Sequence, residues 1–155
     1  MIHIEQEVEI RLMRLSSPAF KDNDVIPIKY TCDGLNQSPP FDLDNIPKEA
    51  KCLAIIVEDP DAPINTWVHW LVWNIPVTHH IQENTLKGKN GVNDFSRKFY
   101  CGPCPLSGTH HYLFKIYALN DLLQLPENTK KVELERAMSD KIIAFGQLTG
   151  IYSRK

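Results

Sequence analysis

Asp59, Asp61 and His69 hold the most concentrated chemistry in this chain: two carboxylates on a proline-bounded turn and an imidazole a few residues beyond it. The surrounding stretch, LAIIVEDPDAPINTWVHWLVWNIP from Leu53 to Pro76, also carries all three tryptophans, Trp67, Trp70 and Trp73. No lysine or arginine occurs between Lys51 and Lys87, so Glu58, Asp59 and Asp61 must find counter-charges among histidines or elsewhere in the fold. A carboxylate close to an imidazole favours the imidazolium and raises its pKa. A charged histidine, a tyrosine hydroxyl and a backbone amide are all donors, and a small anion would satisfy them together.

A second stretch, YCGPCPLSGTHHYLFKIYALND from Tyr100, supplies such donors. It reads as a Gly and Pro-rich loop feeding a strand from Tyr112 to Leu119. On that strand His110, Tyr112, Phe114 and Ile116 share one parity, so His110 and Tyr112 point the same way. Joining Asp59, Asp61 and His69 to His110, Tyr112 and the Gly102 amide gives a phosphate-sized pocket between strand ends, with carboxylates that steer the donors without touching the anion.

The same residues admit other readings. A histidine among tryptophans is commonly a hydrogen-bonded core residue, and acids beside proline are common turn formers. Cys101-Gly102-Pro103-Cys104 matches the active-site tetrapeptide of thioredoxin-like oxidoreductases, but that chemistry needs a helix N-terminus behind the first cysteine, and Pro105 to Thr109 is a poor helix start. Zinc would draw on Cys101, Cys104, His110 and His111, or on His69, His110 and Asp59, yet His110 and His111 face opposite sides of a strand. The pattern therefore implies no metal and no cofactor.

The elements that must position these residues follow from periodicity. Leu53 to Val57 is apolar throughout, as in a strand buried on both faces. Alternation on the next strand puts Trp67, His69, Leu71 and Trp73 on one face and Val68, Trp70 and Val72 on the other. Val8, Ile10 and Leu12 predict a half-exposed first strand, and Val25 to Thr31 an edge strand interrupted by Pro27. Cys32 to Pro40 is loop, and Thr78 to Tyr100 is a long segment without periodicity, with His79 and His80 on its surface. Helical spacing runs from Val132 to Phe145, with Ser139 and Asp140 as a potential break, before a β-like tail LTGIYSR.

At 155 residues the chain reads as one domain, residues 1–155. A net charge of -2 gives no electrostatic footprint for nucleic acid. Neither a secretory signal nor a membrane-spanning run is present, which predicts a cytoplasmic protein whose four cysteines, Cys32, Cys52, Cys101 and Cys104, are thiols.

Several blocks in order resemble the phosphatidylethanolamine-binding protein family, the Raf-kinase-inhibitor-like proteins, and most closely its short bacterial and archaeal branch: CDGLNQSPP, the DPDAP turn with its following tryptophan and His69-Trp70, GPCP with Gly108, His110 and Tyr112, then YALND and LTGIYSR. The resemblance spans nearly the whole chain. It implies a mainly β, Greek-key fold, a large antiparallel sheet packed on a smaller sheet with one or two helices near the C-terminus. It implies an anion pocket, onto whose family positions Asp59, Asp61, Pro63, Trp67, His69, Gly102, His110 and Tyr112 fall, and a cis bond before Pro63. It further implies a binding or regulatory protein, not an enzyme, for a small anion or phospholipid headgroup, with a kinase or protease as protein target and a homodimer as assembly. The alternative is an enzyme: a thiol-disulfide oxidoreductase using Cys101 and Cys104, or an acid-base set of Asp59, His69 and His110. Departures from the family pattern are Leu43 for tryptophan, Leu106 for a second proline, His111 for arginine, and Cys101.

Overall fold

The structure is a computed structural model that describes residues 9–154; Val8, expected in the first strand, lies outside them. The chain is built around β5, Cys52–Asp59, whose residues are all buried. A strand apolar at every position must be covered on both faces, and this one is. One face packs, with its neighbours, into a cluster containing Leu53, Ile55, Val57, Phe114 and Ile116, while Ala54 and Ile56 join a second cluster on the other side.

In the large sheet β5 lies between β6, Trp67–Ile75, and β9, Thr109–Leu119, both antiparallel to it. Beyond β9 comes β10, Ile142–Ser153, antiparallel to it along its length. β1, Arg11–Leu12, and β3, Asp24–Val25, are short pieces parallel to β10, and β8, Lys89–Asn90, closes the far edge against β6. The small sheet has the order β2, β4, β7: Arg14–Ser16, Phe41–Asp44 and His80–Ile81. Its Leu15, Phe41, Leu43 and Ile81 fill the first cluster. Thus Leu43 sits in the core between the sheets.

The opposite face of the large sheet is covered by α1, Lys131–Met138, through Leu134 and Met138. The helix is held electrostatically as well as by packing. Glu58 is buried on β5, and its carboxylate accepts from Lys115 Nζ of β9 at 2.5 Å and from Lys131 Nζ at the start of α1. The cations missing from the sequence around Glu58 thus arrive from a neighbouring strand and a helix.

Several expectations are corrected. The helical spacing past Ser139 is not used: Met138 is followed by a turn, and Ile142 to Phe145 begin β10, because pairing with β9 outweighs local periodicity. Of Val25 to Thr31 only Val25 is in a strand, the two-residue Asp24–Val25, and a single 3-10 turn, Ile28–Tyr30, follows behind Pro27. Among the described residues no peptide bond is cis, so the bond before Pro63 is trans. Cys32 and Cys104 form a disulfide, whereas Cys52 and Cys101 are free and buried. That pairing corrects the expectation of four thiols. No helix among the described residues is long and apolar enough to cross a membrane.

Candidate functional site

Alternation along β5 assigns the two central acids to opposite sides. Glu58 faces the helix, and Asp59 faces a surface cavity of about 300 Å³ at the ends of β5, β6 and β9. Asp59, Pro63, Trp67, His69, His110 and Tyr112 all line this cavity.

His69 reaches it through a kink in the ladder. Val57 pairs with Trp70, but Glu58 pairs with Val68, so β6 carries one extra residue there, and that residue is His69. A β-bulge of this kind re-aims a side chain and interrupts regular pairing. Beyond the bulge Val68 changes sides and joins Leu71 and Trp73 in the helix-side cluster, while Trp70 and Val72 face the small sheet. Simple alternation, which grouped His69 with Leu71 and Trp73, is corrected by this one inserted residue. The His69 carbonyl, left outside the ladder, accepts from the Cys101 amide at 3.2 Å and from Asn93 Nδ2 at 2.9 Å.

The His69 ring is buried, and its Nδ1 lies 2.6 Å from the carbonyl oxygen of Cys101. A carbonyl cannot donate, so Nδ1 carries the proton. Burial is the strongest influence on this ring and holds its pKa below the ordinary histidine value, against the opposing pull of the Cys101 carbonyl and Asp59. The expectation of an imidazolium at this position is corrected accordingly. Phe95 and Tyr112 meet the ring edge-on, with centroids at 5.2 and 5.3 Å.

His110 and Tyr112 stand on one face of β9, as alternation requires, and their rings stack at 6.4 Å. His110 Nδ1 donates to Asp59 Oδ2 at 2.6 Å, while Asp59 Oδ1 accepts from the Asp61 amide at 2.8 Å. Both Asp59 oxygens are therefore engaged in orienting neighbours. The Tyr112 hydroxyl is buried and has no hydrogen-bond partner among the described residues. Burial raises its pKa, so it remains a neutral donor and acceptor.

Two expected residues are placed otherwise. Asp61 is turned away from the cavity wall; its Oδ2 accepts from the backbone amide and the ring Nδ1 of His111, both at 2.7 Å, and the backbone bond foremost lowers its pKa. The Gly102 amide donates to Asn36 Oδ1 at 2.7 Å and does not face the cavity. Glycine is required at 102 by close approach, since an added Cβ would collide with the Tyr30 carbonyl. Trp67 is a half-exposed rim residue with Phe95 packed edge-on at 5.6 Å.

The contributions of Phe95, Cys104, Asn36 and Asn93 went unread in the sequence. Asn93 is buried and organises the loop under His69: its Oδ1 accepts from the Phe95 and Arg97 amides, and its Nδ2 donates to the His69 and Phe99 carbonyls. Only its place in a long, aperiodic loop hinted at it. Cys104 lines the cavity while tied to Cys32, so Cys101 and Cys104 do not pair, and β9 rather than a helix follows them. Among the described residues no group of three or more His, Cys, Asp and Glu is arranged to hold a metal. His79 and His80 lie apart, bonded to the Leu43 carbonyl and to Asp42 of β4.

Known proteins resemble this chain in sequence, and solved structures resemble it in fold. A UPF0098 protein of Pyrococcus abyssi is 45% identical over 150 residues, covering 90% of this chain and 84% of that protein. Another, from Methanothermobacter thermautotrophicus, is 41% identical over 150 residues and covers 92% of this chain and 99% of that one. Among solved structures, CT736 of Chlamydia trachomatis, described as a homolog of phosphatidylethanolamine-binding protein, superimposes with a TM-score of 0.89 at 38% identity, over 94% of this chain and 99% of that one. YbcL of E. coli, described as a member of the mammalian family, gives 0.85 at 27% identity, over 92% and 99%. Residues 16–153 match the family model for phosphatidylethanolamine-binding protein, and the chain belongs to that family.

Proposed function

We propose that the cavity between β5, β6 and β9 is a binding site for a small anion, a phosphate or a phospholipid headgroup, and that the protein acts by binding, not by turnover. Family membership supports a binding or regulatory role in general. The observation that carries the specific reading is convergence: His69 from a bulge on β6 and His110 from β9 line one cavity with the Tyr112 hydroxyl, which has no side-chain partner among the described residues, and Asp59 holds His110 from behind. A few polar groups, His69, His110 and Tyr112 with Asp59 and Ser107, set in a largely apolar wall are what orients a small ligand. Inhibition of a kinase or protease would use the surface around this mouth, where Ile64 and Leu106 are 90% and 91% exposed, and a homodimer belongs to the same proposal.

A thiol-disulfide activity gains no support. Cys101 is buried, and burial foremost raises its thiol pKa, the opposite of what an attacking cysteine needs. The test of the binding reading is titration of the full chain with phosphoethanolamine or inorganic phosphate while the imidazole resonances of His69 and His110 are followed. Saturable shifts of both rings are expected. Rings that stay unmoved at millimolar ligand refute the assignment.

A further inference from the structure

The Cys32–Cys104 bond ties two loops together beside the cavity, and the charges around its two sulfurs are not symmetric. We infer that it is a reversible redox switch with a fixed direction: a dithiol reductant attacks the Cys32 sulfur, and Cys104 departs as a thiolate held by Arg154, which makes Cys104 a covalent modification site on the cavity wall of the reduced chain.

Direction comes from Arg154. Its Nη1 donates to Cys104 Sγ at 3.8 Å, while its Nη2 pairs with Asp33 Oδ1 at 3.1 Å. Asp33 is fixed in turn by the Tyr152 hydroxyl, which donates to Oδ2 at 2.6 Å. The guanidinium is thereby anchored at one sulfur of the pair. In thiol–disulfide exchange the sulfur whose thiol has the lower pKa leaves faster, and an adjacent cation lowers that pKa. Cys32 is followed instead by Asp33, whose negative charge opposes a thiolate. On the cavity side the ionisable groups near Cys104 are Asp59, His110 and Tyr112. Asp59 is already engaged by His110.

Access separates this pair from the other cysteines. Cys32 and Cys104 are partly exposed, whereas Cys52 and Cys101 are buried, at 1% and 8% exposure. The first thiolate of the reductant bonds to Cys32 Sγ as the S–S bond breaks, and the electron pair leaves on Cys104. The second thiol of the reductant, having lost its proton to water, attacks its own sulfur in the mixed disulfide and releases Cys32, which takes up a proton. The reductant ends as a disulfide and the chain has gained two electrons. The loops stay together meanwhile, because the Cys32 amide donates to the Pro103 carbonyl and the Gly102 amide to Asn36 Oδ1. An oxidised dithiol therefore reverses the reaction. Cys104 lines the cavity, so a group added to its sulfur is added at that wall, whichever ligand the cavity takes.

The test uses the intact chain. Glutathione added to the oxidised protein and quenched early with acid leaves a mixed disulfide that mass spectrometry can map. It should lie on Cys32 at least about threefold more often than on Cys104. After reduction with dithiothreitol, pulse labelling with iodoacetamide across pH should give Cys104 a midpoint at least about one pH unit below that of Cys32. Cys52 and Cys101 should stay unlabelled in the folded chain. Arg154→Gln should bring the two midpoints within about half a pH unit of each other, and labelling of Cys104 should shift the His110 ring resonances. Glutathione mainly on Cys104, equal midpoints in the wild type, or a gap that survives Arg154→Gln overturns the direction. A bond that yields to dithiothreitol only when the chain unfolds overturns the switch. An unmoved His110 ring overturns the placement of the modified sulfur at the cavity.

Discussion

Severing the Cys32–Cys104 bond should cost stability without dismantling the fold, and the size of the loss can be worked out. The bridge spans a sequence separation of 72. Chain-entropy scaling for a loop of that length gives about 4 kcal/mol, arising mainly from the unfolded chain. The folded chain should keep its shape without the bond, because the same segments are held by other contacts. The Cys32 amide donates to the Pro103 carbonyl at 3.1 Å, the Gly102 amide donates to Asn36, and Asp33 accepts from the Tyr152 hydroxyl at 2.6 Å and pairs with Arg154 at 3.1 Å. Urea unfolding of the wild type with and without reductant, beside a Cys32→Ser/Cys104→Ser double variant, tests this. With a urea slope of roughly 2 kcal/mol per molar, the midpoint should fall by about 2 M in both the reduced protein and the variant. Thiol counting on denatured, unreduced protein should find only Cys52 and Cys101 free. Four free thiols would show that the bond does not form, and a midpoint loss under about 0.5 M with the bond intact beforehand would refute the entropic account.

Two further outcomes follow from the packing. Glu58→Gln should destabilise the protein by about 3–5 kcal/mol, because it leaves the Lys115 and Lys131 ammonium groups against a buried neutral amide. Although desolvation by itself pushes the Glu58 pKa up, the two lysines together bring it below the ordinary value, so its contribution is complete above the unfolded carboxylate pKa and is lost as pH falls through the folded one. The gap in urea midpoint between wild type and variant should therefore close on acidification, and a gap independent of pH would refute the ion-pair account. Gly102→Ala should cost about 1–3 kcal/mol, since the new methyl meets the rigid Tyr30 backbone; an unchanged thermal midpoint would show that the 101–104 loop yields freely.

What could be read from residues alone was whatever depended on local pattern. The unbroken apolar run Leu53 to Val57 does become the strand covered on both faces, and the shared parity of His110 and Tyr112 does put them on one face of β9. Pattern misled where a long-range partner decided the outcome. Ile142 and Phe145 satisfy helical spacing, yet they belong to a strand because β9 offers a full ladder beside them. The Cys32–Cys104 bond depends on two distant loops meeting, which neither spacing nor composition encodes. The site adds a subtler case. Every member needed for a donor set was visible in the sequence, but the direction in which His69 donates was not. One inserted residue on β6 lets the ring reach the Cys101 carbonyl, and that carbonyl fixes which nitrogen carries the proton. The same side chain, held by a carboxylate instead, would have been a cationic donor toward the cavity. Register, more than residue type, therefore sets the polarity of this wall.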